Sequence, residues 1–407
     1  MIDRREFLAG LGAVLSAEFG MRNAERESGI PHSALRMPHS PQGPGLPPQV
    51  FARRLSRLRE ELRTRRLDLL MATPGTNYRY FTSYGPGRSE RLIALVVPAQ
   101  AEPLVICPSF EVERIRRATP IPDVRGWEED DDPYTLVRDA VRGRGARGRG
   151  ALEPTTEYHV FRRLAAALPG WEWVDGAPIT ERLRIVKQPE ELALIRRAVE
   201  ITQAAMAATF GGLTPGMSER DVARRLSSEM QRRGAQGGGL VQFGPSSALP
   251  HGGPGGATLE RETVVLIDCG CRVDGYTSDV TRTIWFGDRP PEEFRRLFNL
   301  VHDAQTAAMA LGRPGTECQA LDRAARRVIA AAGYGPFFTH RLGHGMGMDG
   351  HEVPYLVEGN ALRLEPGMVF TIEPGIYQLG NFGIRIEDDC VMTAEGIQVL
   401  SERAPRL

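Results

Sequence analysis

The stretch Thr263–Gly287, TVVLIDCGCRVDGYTSDVTRTIWFG, places Asp268 and Asp279 close to the thiols of Cys269 and Cys271. Carboxylates and thiols at such spacing invite a metal, and strand geometry says which of them share a side. Thr263–Gly270 and Tyr276–Phe286 are rich in β-branched and apolar residues, and the Asp274-Gly275 between them is a strong hairpin signal. A turn centred on Val273-Asp274 sets Asp268 directly opposite Asp279; one centred on Asp274-Gly275 makes them diagonal neighbours. In both registers the carboxylates share a face, because side chains alternate along a strand. Opposed Cβ atoms lie about 4.5–5.5 Å apart, so two such charges repel unless a cation sits between them. The cysteines point to the other face, where a sheet packs on helices and a free thiol behaves as a small hydrophobe.

Other chemistry-bearing residues lie further along the chain. LPHGGPG carries His251 in a glycine-rich loop, and THRLGHGMGMDGHEVP carries His340, His344 and His351 among glycines that let the backbone approach a ligand. Glu373 ends the apolar strand GMVFTIE, where Pro374-Gly375 breaks the run, and Arg385 and Glu387 fall on one face of FGIRIEDDCVM. A loop centred on Gly380 pairs these two strands and returns Glu373 and Glu387 to a common face. Taken singly, a histidine is usually structural and a strand glutamate usually solvated. Two Asp and two Glu set inside apolar strands are different: buried carboxylates without partners are costly, and a pair of divalent cations removes that cost.

The elements that carry these groups need more than one domain, since 407 residues exceed a typical single one. From Val50, FARRLSRLREELRTRRLDLLMAT has apolar residues at helical spacing followed by a strand over 67–72, and RLIALVVPA, PLVICPS and a short ALE continue as strands. The run VRGRGARGRG lacks interleaved aromatics and sits between a helix and a strand, so it reads as a surface loop and not an RNA-binding box. We expect an α/β amino domain over 49–179. A second domain over 180–407 opens with the helix QPEELALIRRAVEITQAAMAATFGGL, which has Pro189 at its start and Glu190 and Glu191 in its first turn.

Composition bounds the class. Hydrophobic content of 41% with 25% charged residues is that of an ordinary globular protein, and a formal net charge of zero removes the electrostatic drive toward nucleic acid. Five scattered cysteines make no disulfide framework, and no stretch approaches the roughly 20 apolar residues of a membrane helix, so an integral membrane protein is not expected. Within residues 1–20, Arg4-Arg5, Phe7-Leu8 and a short apolar run resemble a twin-arginine export signal, although Asp3 stands where Ser or Thr is usual. Export would place the protein outside the cytoplasm; without it the protein is cytoplasmic. Residues 21–48, rich in Pro, Ser and Gly, read as a linker in which His32 and His39 are solvated.

The order Asp268, Asp279, His344, Glu373, Glu387, within IDCG…GYTSDVTRT, GHGMGMDGHEVPY, TIEPGIY and GIRIED, resembles the five-ligand signature of the pita-bread-fold dinuclear metallopeptidases. TPGTNYRYFTSY and RLRIVKQPEELALIRRA resemble the amino-domain and junction motifs of the Xaa-Pro and creatinase branch, so the likeness runs from about residue 50 to the end. It implies a creatinase-like α/β amino domain followed by an α+β pita-bread domain. It implies two divalent cations, Mn²⁺ foremost with Co²⁺, Zn²⁺ or Fe²⁺ as alternatives, held by the five residues, with Asp279 and Glu387 between them. An oxygen-rich set of this kind disfavours thiolate ligation.

In that family a hydroxide bridging the cations attacks the peptide carbonyl, and Glu373 would shuttle its proton to the leaving nitrogen. His251 and His351 would orient substrate, Arg385 would meet the site's charge or a substrate carboxylate, and His340 would support the ligands from behind. The implied reaction is cleavage of the bond before proline in a proline-containing peptide or dipeptide, by a homodimer; aminopeptidase and dipeptidase both remain open. A relative acting on a non-peptide substrate, a C–N hydrolase or a sulfonium lyase, is the alternative. The lyase branch adds an Asp ligand where Gly270 stands here. A non-enzymatic binding protein or a metal-free creatinase fits less well, because such relatives lose ligands that are all present. A methionine aminopeptidase would lack the amino domain.

Overall fold

The computed structural model describes residues 45–141, 148–253 and 255–407. The expected export signal, His32, His39, most of the linker and the centre of the Arg/Gly run lie outside the described residues. The chain divides into two compact units, an amino unit ending at Val186 and a carboxy unit running from Lys187 to Leu407.

The amino unit contains α1 (Pro48–Thr64), β1 (Leu69–Ala72), α2 (Thr76–Thr82), β2 (Ala94–Pro98), β3 (Leu104–Pro108), α3 (Val112–Ala118), β4 (Asp123–Trp127), α4 (Tyr134–Ala140), β5 (Gly148–Leu152), α5 (Tyr158–Ala167), β6 (Trp171–Asp175) and α6 (Ala177–Arg184). Its sheet has the order β4-β3-β2-β1-β5-β6, with β1–β5, β5–β6 and β3–β4 parallel and the rest antiparallel. Every residue of β1, β2 and β3 is buried, which is why these strands read as continuous apolar runs and not as alternating ones. α6 runs through the expected domain junction at 179/180, so the compact unit closes only after that helix ends.

The carboxy unit contains α7 (Pro189–Gly211), α8 (Glu219–Arg232), β7 (Gln236–Phe243), β8 (Thr263–Val273), β9 (Tyr276–Thr277), β10 (Val280–Phe286), α9 (Glu292–Leu311), α10 (Cys318–Ala331), β11 (Gly343–Gly345), β12 (Glu352–Leu356), β13 (Val369–Ile372), β14 (Gly375–Tyr377), β15 (Gly383–Arg385), β16 (Asp388–Met392) and β17 (Ile397–Val399). One sheet runs β10-β8-β7 and a second runs β12-β11-β13-β16-β17, with β14–β15 as a separate ribbon. α7 starts on a capping box between Gln188 and Glu191 with Pro189 in its first turn. Its buried face, from Ile195 through Ala205, packs with α8 on the first sheet.

The two halves of this unit repeat one scaffold. Pro215-Gly216 joins α7 to α8 and Pro314-Gly315 joins α9 to α10, with the glycines at φ 90° and 87°. Such values are what the third position of a type II turn after proline requires. In both halves the strand-like segment after the turn pairs with a later one, Gly216 N–H donating to Leu259 O and Gly315 N–H to Leu364 O, at 2.9 and 2.8 Å.

Candidate metal centre

The β8–β9 hairpin turns on Asp274-Gly275, with Val273 opposite Tyr276 and both turn residues at positive φ (47° and 92°). These are the angles of a type I′ turn. Asp268 therefore faces Thr281, and Asp279 is its diagonal neighbour on the same side. The strand expected over 276–286 is broken at Ser278-Asp279: the Asp279 N–H leaves the ladder and donates to Asp389 Oδ2 at 2.9 Å. Asp389 is fully buried, so the break fixes the Asp279 backbone from behind. Cys269 and Cys271 lie in the apolar layer under α7 and α8. Burial holds both thiols above their usual range, which leaves them neutral and unsuited to ligation.

The other ligand candidates come from the second sheet and the ribbon. β14–β15 pairs Gly375 with Arg385 and β13–β16 pairs Ile372 with Asp388, one continuous register centred on Gly380. Glu373 and Glu387 fall opposite each other in that register. His344 on β11 is buried, and its Nδ1 lies 3.1 Å from Gly345 O. A carbonyl only accepts, so Nδ1 carries the proton and Nε2 presents its lone pair. That lone pair points at carboxylates, 3.3 Å from Glu373 Oε1 and 3.8 Å from Asp279 Oδ2.

Three overlapping groups have ligand atoms within 4.8 Å of one another: Asp268, Asp279 and Glu387; His344, Glu373 and Glu387; and Asp279, His344 and His351. All line a cavity of about 460 Å³ that also takes in His251, His340, Arg341 and Arg385. Asp268, Asp279, His344, Glu373, Glu387, His251, His340, His351 and Arg385, the candidate site residues named from the sequence, thus meet in one cavity. A second, smaller cavity of about 260 Å³ in the amino unit is rimmed by charges that pair with one another, Arg91 with Glu129 and Arg88 with Glu157.

The electrostatics show what the cluster wants. Four carboxylates outnumber the two guanidinium groups of the cavity, Arg341 and Arg385, of which Arg385 donates to Asp268 Oδ2 at 2.6 Å. Burial raises the carboxyls of Asp279 and Glu387 well above the usual range and pushes Glu373 up to about 8. Burial also drives His344 down to about 3, so it stays neutral. Acceptor atoms converging in a partly buried site are stable once cations lie among them, and the donor set is hard and oxygen-rich. The residues present therefore fit a pair of divalent cations.

Around the cluster, each ligand is held. Thr281 Oγ1 donates to Glu387 Oε2 at 2.5 Å, and Thr371 Oγ1 donates to Glu373 Oε1 at 3.2 Å. His340 Nδ1 lies 2.7 Å from Arg341 O and must carry the proton, so its Nε2 accepts the Tyr377 hydroxyl at 2.8 Å. Arg385 donates to the same hydroxyl oxygen at 2.8 Å, linking His340 through Tyr377 and Arg385 to Asp268. Asp322 and Arg326 on α10 grip the segment that carries His340. Arg326 donates to Phe338 O and His340 O, both at 2.8 Å, and Asp322 accepts the Leu342 N–H at 2.9 Å.

Sequence reasoning did not single out Thr281, Thr371, Asp389, Tyr377 or Arg341. Alternation offered a signal for three of them, since Thr281 and Asp389 lie two residues after a candidate ligand and Thr371 lies two before one. No signal pointed to Tyr377, whose importance rests on contacts remote in the chain.

The chain matches the creatinase/prolidase N-terminal domain over residues 54–186 and metallopeptidase family M24 over residues 193–394. It is 34% identical over 354 residues to the Xaa-Pro dipeptidase of Lactobacillus helveticus, covering 85% of this chain and 96% of that one. The protein belongs to metallopeptidase family M24. Solved structures agree. A prolidase from Thermococcus sibiricus superposes with a TM-score of 0.82 at 30% identity, over 88% of this chain and 98% of that one. A dipeptidase from Mycobacterium ulcerans gives 0.83 at 34%, over 89% and 98%. An X-Pro aminopeptidase from Thermotoga maritima gives 0.77 at 30%, over 86% and 98%. The fold class expected from the sequence, a creatinase-like α/β amino domain before an α+β pita-bread domain, is the one present. No helix among the described residues is long and apolar enough to cross a membrane.

Proposed function

We propose that this metallopeptidase hydrolyses the Xaa-Pro bond of dipeptides, with Asp268, Asp279, His344, Glu373 and Glu387 holding two divalent cations, Mn²⁺ foremost. The observation that carries the reading is the convergence of four carboxylates and the bare Nε2 of His344 on one cavity, in overlapping groups. The names of the relatives supply the substrate class. When bound, the two cations supply Lewis acidity, activating water and polarising the scissile carbonyl.

The chain's own groups then have separate tasks. Glu373, a largely buried carboxylate beside His344 in the cluster, is the group placed to move the proton. Thr371 donates to its Oε1 and so orients the carboxylate that takes a proton from the attacking water and passes it to the departing proline nitrogen. Arg341 Nη2 lies 3.0 Å from His351 Nδ1. A guanidinium only donates, so His351 carries its proton on Nε2 and offers a donor to the oxyanion or the substrate. His251 lines the same cavity and orients the peptide. Arg385, tied to Asp268 and Tyr377, keeps that carboxylate in place. Arg341 has no carboxylate partner among the described residues, and its charge suits the free carboxylate of a dipeptide.

The test is to strip the metal, restore Mn²⁺ or Co²⁺, and assay Gly-Pro, Gly-Pro-amide and Xaa-Pro-containing tripeptides. Turnover concentrated on Gly-Pro supports the proposal; turnover of the longer peptides alone makes the enzyme an aminopeptidase; no turnover of any rejects peptide cleavage. The non-peptide lyase reading is disfavoured by Gly270, where an added Cβ would sit 1.9 Å from Ser278 O, so no ligating side chain fits. We also propose a homodimer, tested by light scattering, and export through Arg4-Arg5, tested by fractionation of the Lys-Lys variant.

A further inference from the structure

Glu219 opens α8, far in sequence from every ligand, yet it is only 4% exposed. Its carboxylate collects four donors. Oε1 accepts the Phe243 N–H at 2.9 Å and the Ser246 hydroxyl; Oε2 accepts the Gly256 N–H at 2.9 Å and the Ala257 N–H at 3.3 Å. Phe243 and Ser246 stand where the chain leaves β7, and Gly256 and Ala257 where it returns. Between them runs the loop that carries His251, with the glycines Gly252, Gly253, Gly255 and Gly256, which cost much conformational entropy to order. One buried carboxylate therefore fastens both ends of that loop.

The duplicated scaffold shows that the fold does not need this carboxylate. In the second half the matching first helical residue after the Pro-Gly turn is Cys318. Its N–H donates to Leu362 O at 2.9 Å, as that of Glu219 donates to Ala257 O at 3.1 Å. Cys318 is buried and apolar, and the same helix-turn-helix forms around it. The carboxylate appears in the half that carries the His251 loop; in the second half His351 also reaches the cavity, but from a segment flanked by the paired strands β11 and β12. We propose that Glu219 is a positioning residue for the reaction, holding the His251 loop in the geometry that sets this imidazole against the substrate. The inference rests on the role proposed above for His251.

The experiment is a double-mutant cycle of Glu219→Gln with His251→Ala, reading kcat and KM for Gly-Pro, metal content and amide hydrogen exchange. Gln keeps the size but supplies an NH₂ where an acceptor is required, so only one end of the loop stays held. Glu219→Gln is expected to speed exchange in 243–257 but not in 263–286, to keep two metals per chain, and to lower kcat/KM by up to about 100-fold, the cost of an ångström-scale misplacement. In the His251→Ala background it should cost nothing further. Equal losses in both backgrounds, or unchanged kcat/KM with faster exchange, would overturn the positioning role. Unchanged exchange would overturn the clamp itself, whatever the enzyme's substrate proves to be. If Glu219→Gln does not fold, Ser246→Ala removes a single donor and should give a smaller loss with the same dependence on His251.

Discussion

Glu373 and Asp279 are carboxyl groups held with little exposure against other carboxyl groups, and that unfavourable setting makes them informative. Replacing either by Ala should lower kcat by about 10³-fold or more, in the range expected when a group that handles the reacting proton or its activating charge is lost. Cys269→Ala and Cys271→Ala, despite their nearness in sequence, should retain activity and bound metal at a stability cost of about 1 kcal/mol; steady-state kinetics and metal analysis check both statements. A pH dependence follows as well. In the metal-free protein Glu373 titrates at about 8 against an ordinary 4.5, so its protonated form favours the fold and the benefit is lost as pH rises toward 8. His344 and His340, held down at about 3 and 4 from 6.5, act in the opposite sense only below 6.5. Between pH 6.5 and 8 the carboxylates therefore decide. The Tm of chelator-treated protein should fall across that window while metal-loaded protein holds, widening the gap; a gap that narrows would contradict the assignment.

Hairpin β8–β9 and the paired strands around Gly380 do the positioning, and their tolerance is narrow. Gly270 lies against Ser278, where even a methyl group would collide with the carbonyl oxygen. Gly270→Ala should displace the Ser278-Asp279 break, weaken metal binding and cost about 2 kcal/mol or more of stability, read by denaturant unfolding and metal titration; an unchanged metal affinity would show that Asp279 is not set by this contact. Both hairpins were legible in the sequence because turn chemistry and strand alternation are local. Asp-Gly fixed the turn to two registers, and alternation put the carboxylates on one side in either. The choice between registers, the break at Asp279 and the buried Asp389 that takes its N–H were not legible, since they depend on a partner more than a hundred residues away. Tyr377, Arg326 and Glu219 escaped notice because their partners, though nearer in the chain, sit on other elements that neither turn chemistry nor alternation relates to them.

At the scale of the molecule, the carboxy unit is one scaffold used twice, with two Pro-Gly helix turns and two strand-like returns. The halves differ where function enters: the first contributes two candidate Asp ligands and the His251 loop, the second His344 and two candidate Glu ligands. Five side chains from both halves thus converge on one centre, and the account stands or falls on what they hold. The direct measurement is elemental analysis of active, purified protein alongside its hydrolysis of Gly-Pro before and after chelation. We expect two divalent ions per chain, loss of turnover when they are removed, and recovery on adding Mn²⁺ or Co²⁺. Full turnover in protein that carries no bound metal and ignores the chelator would contradict the account.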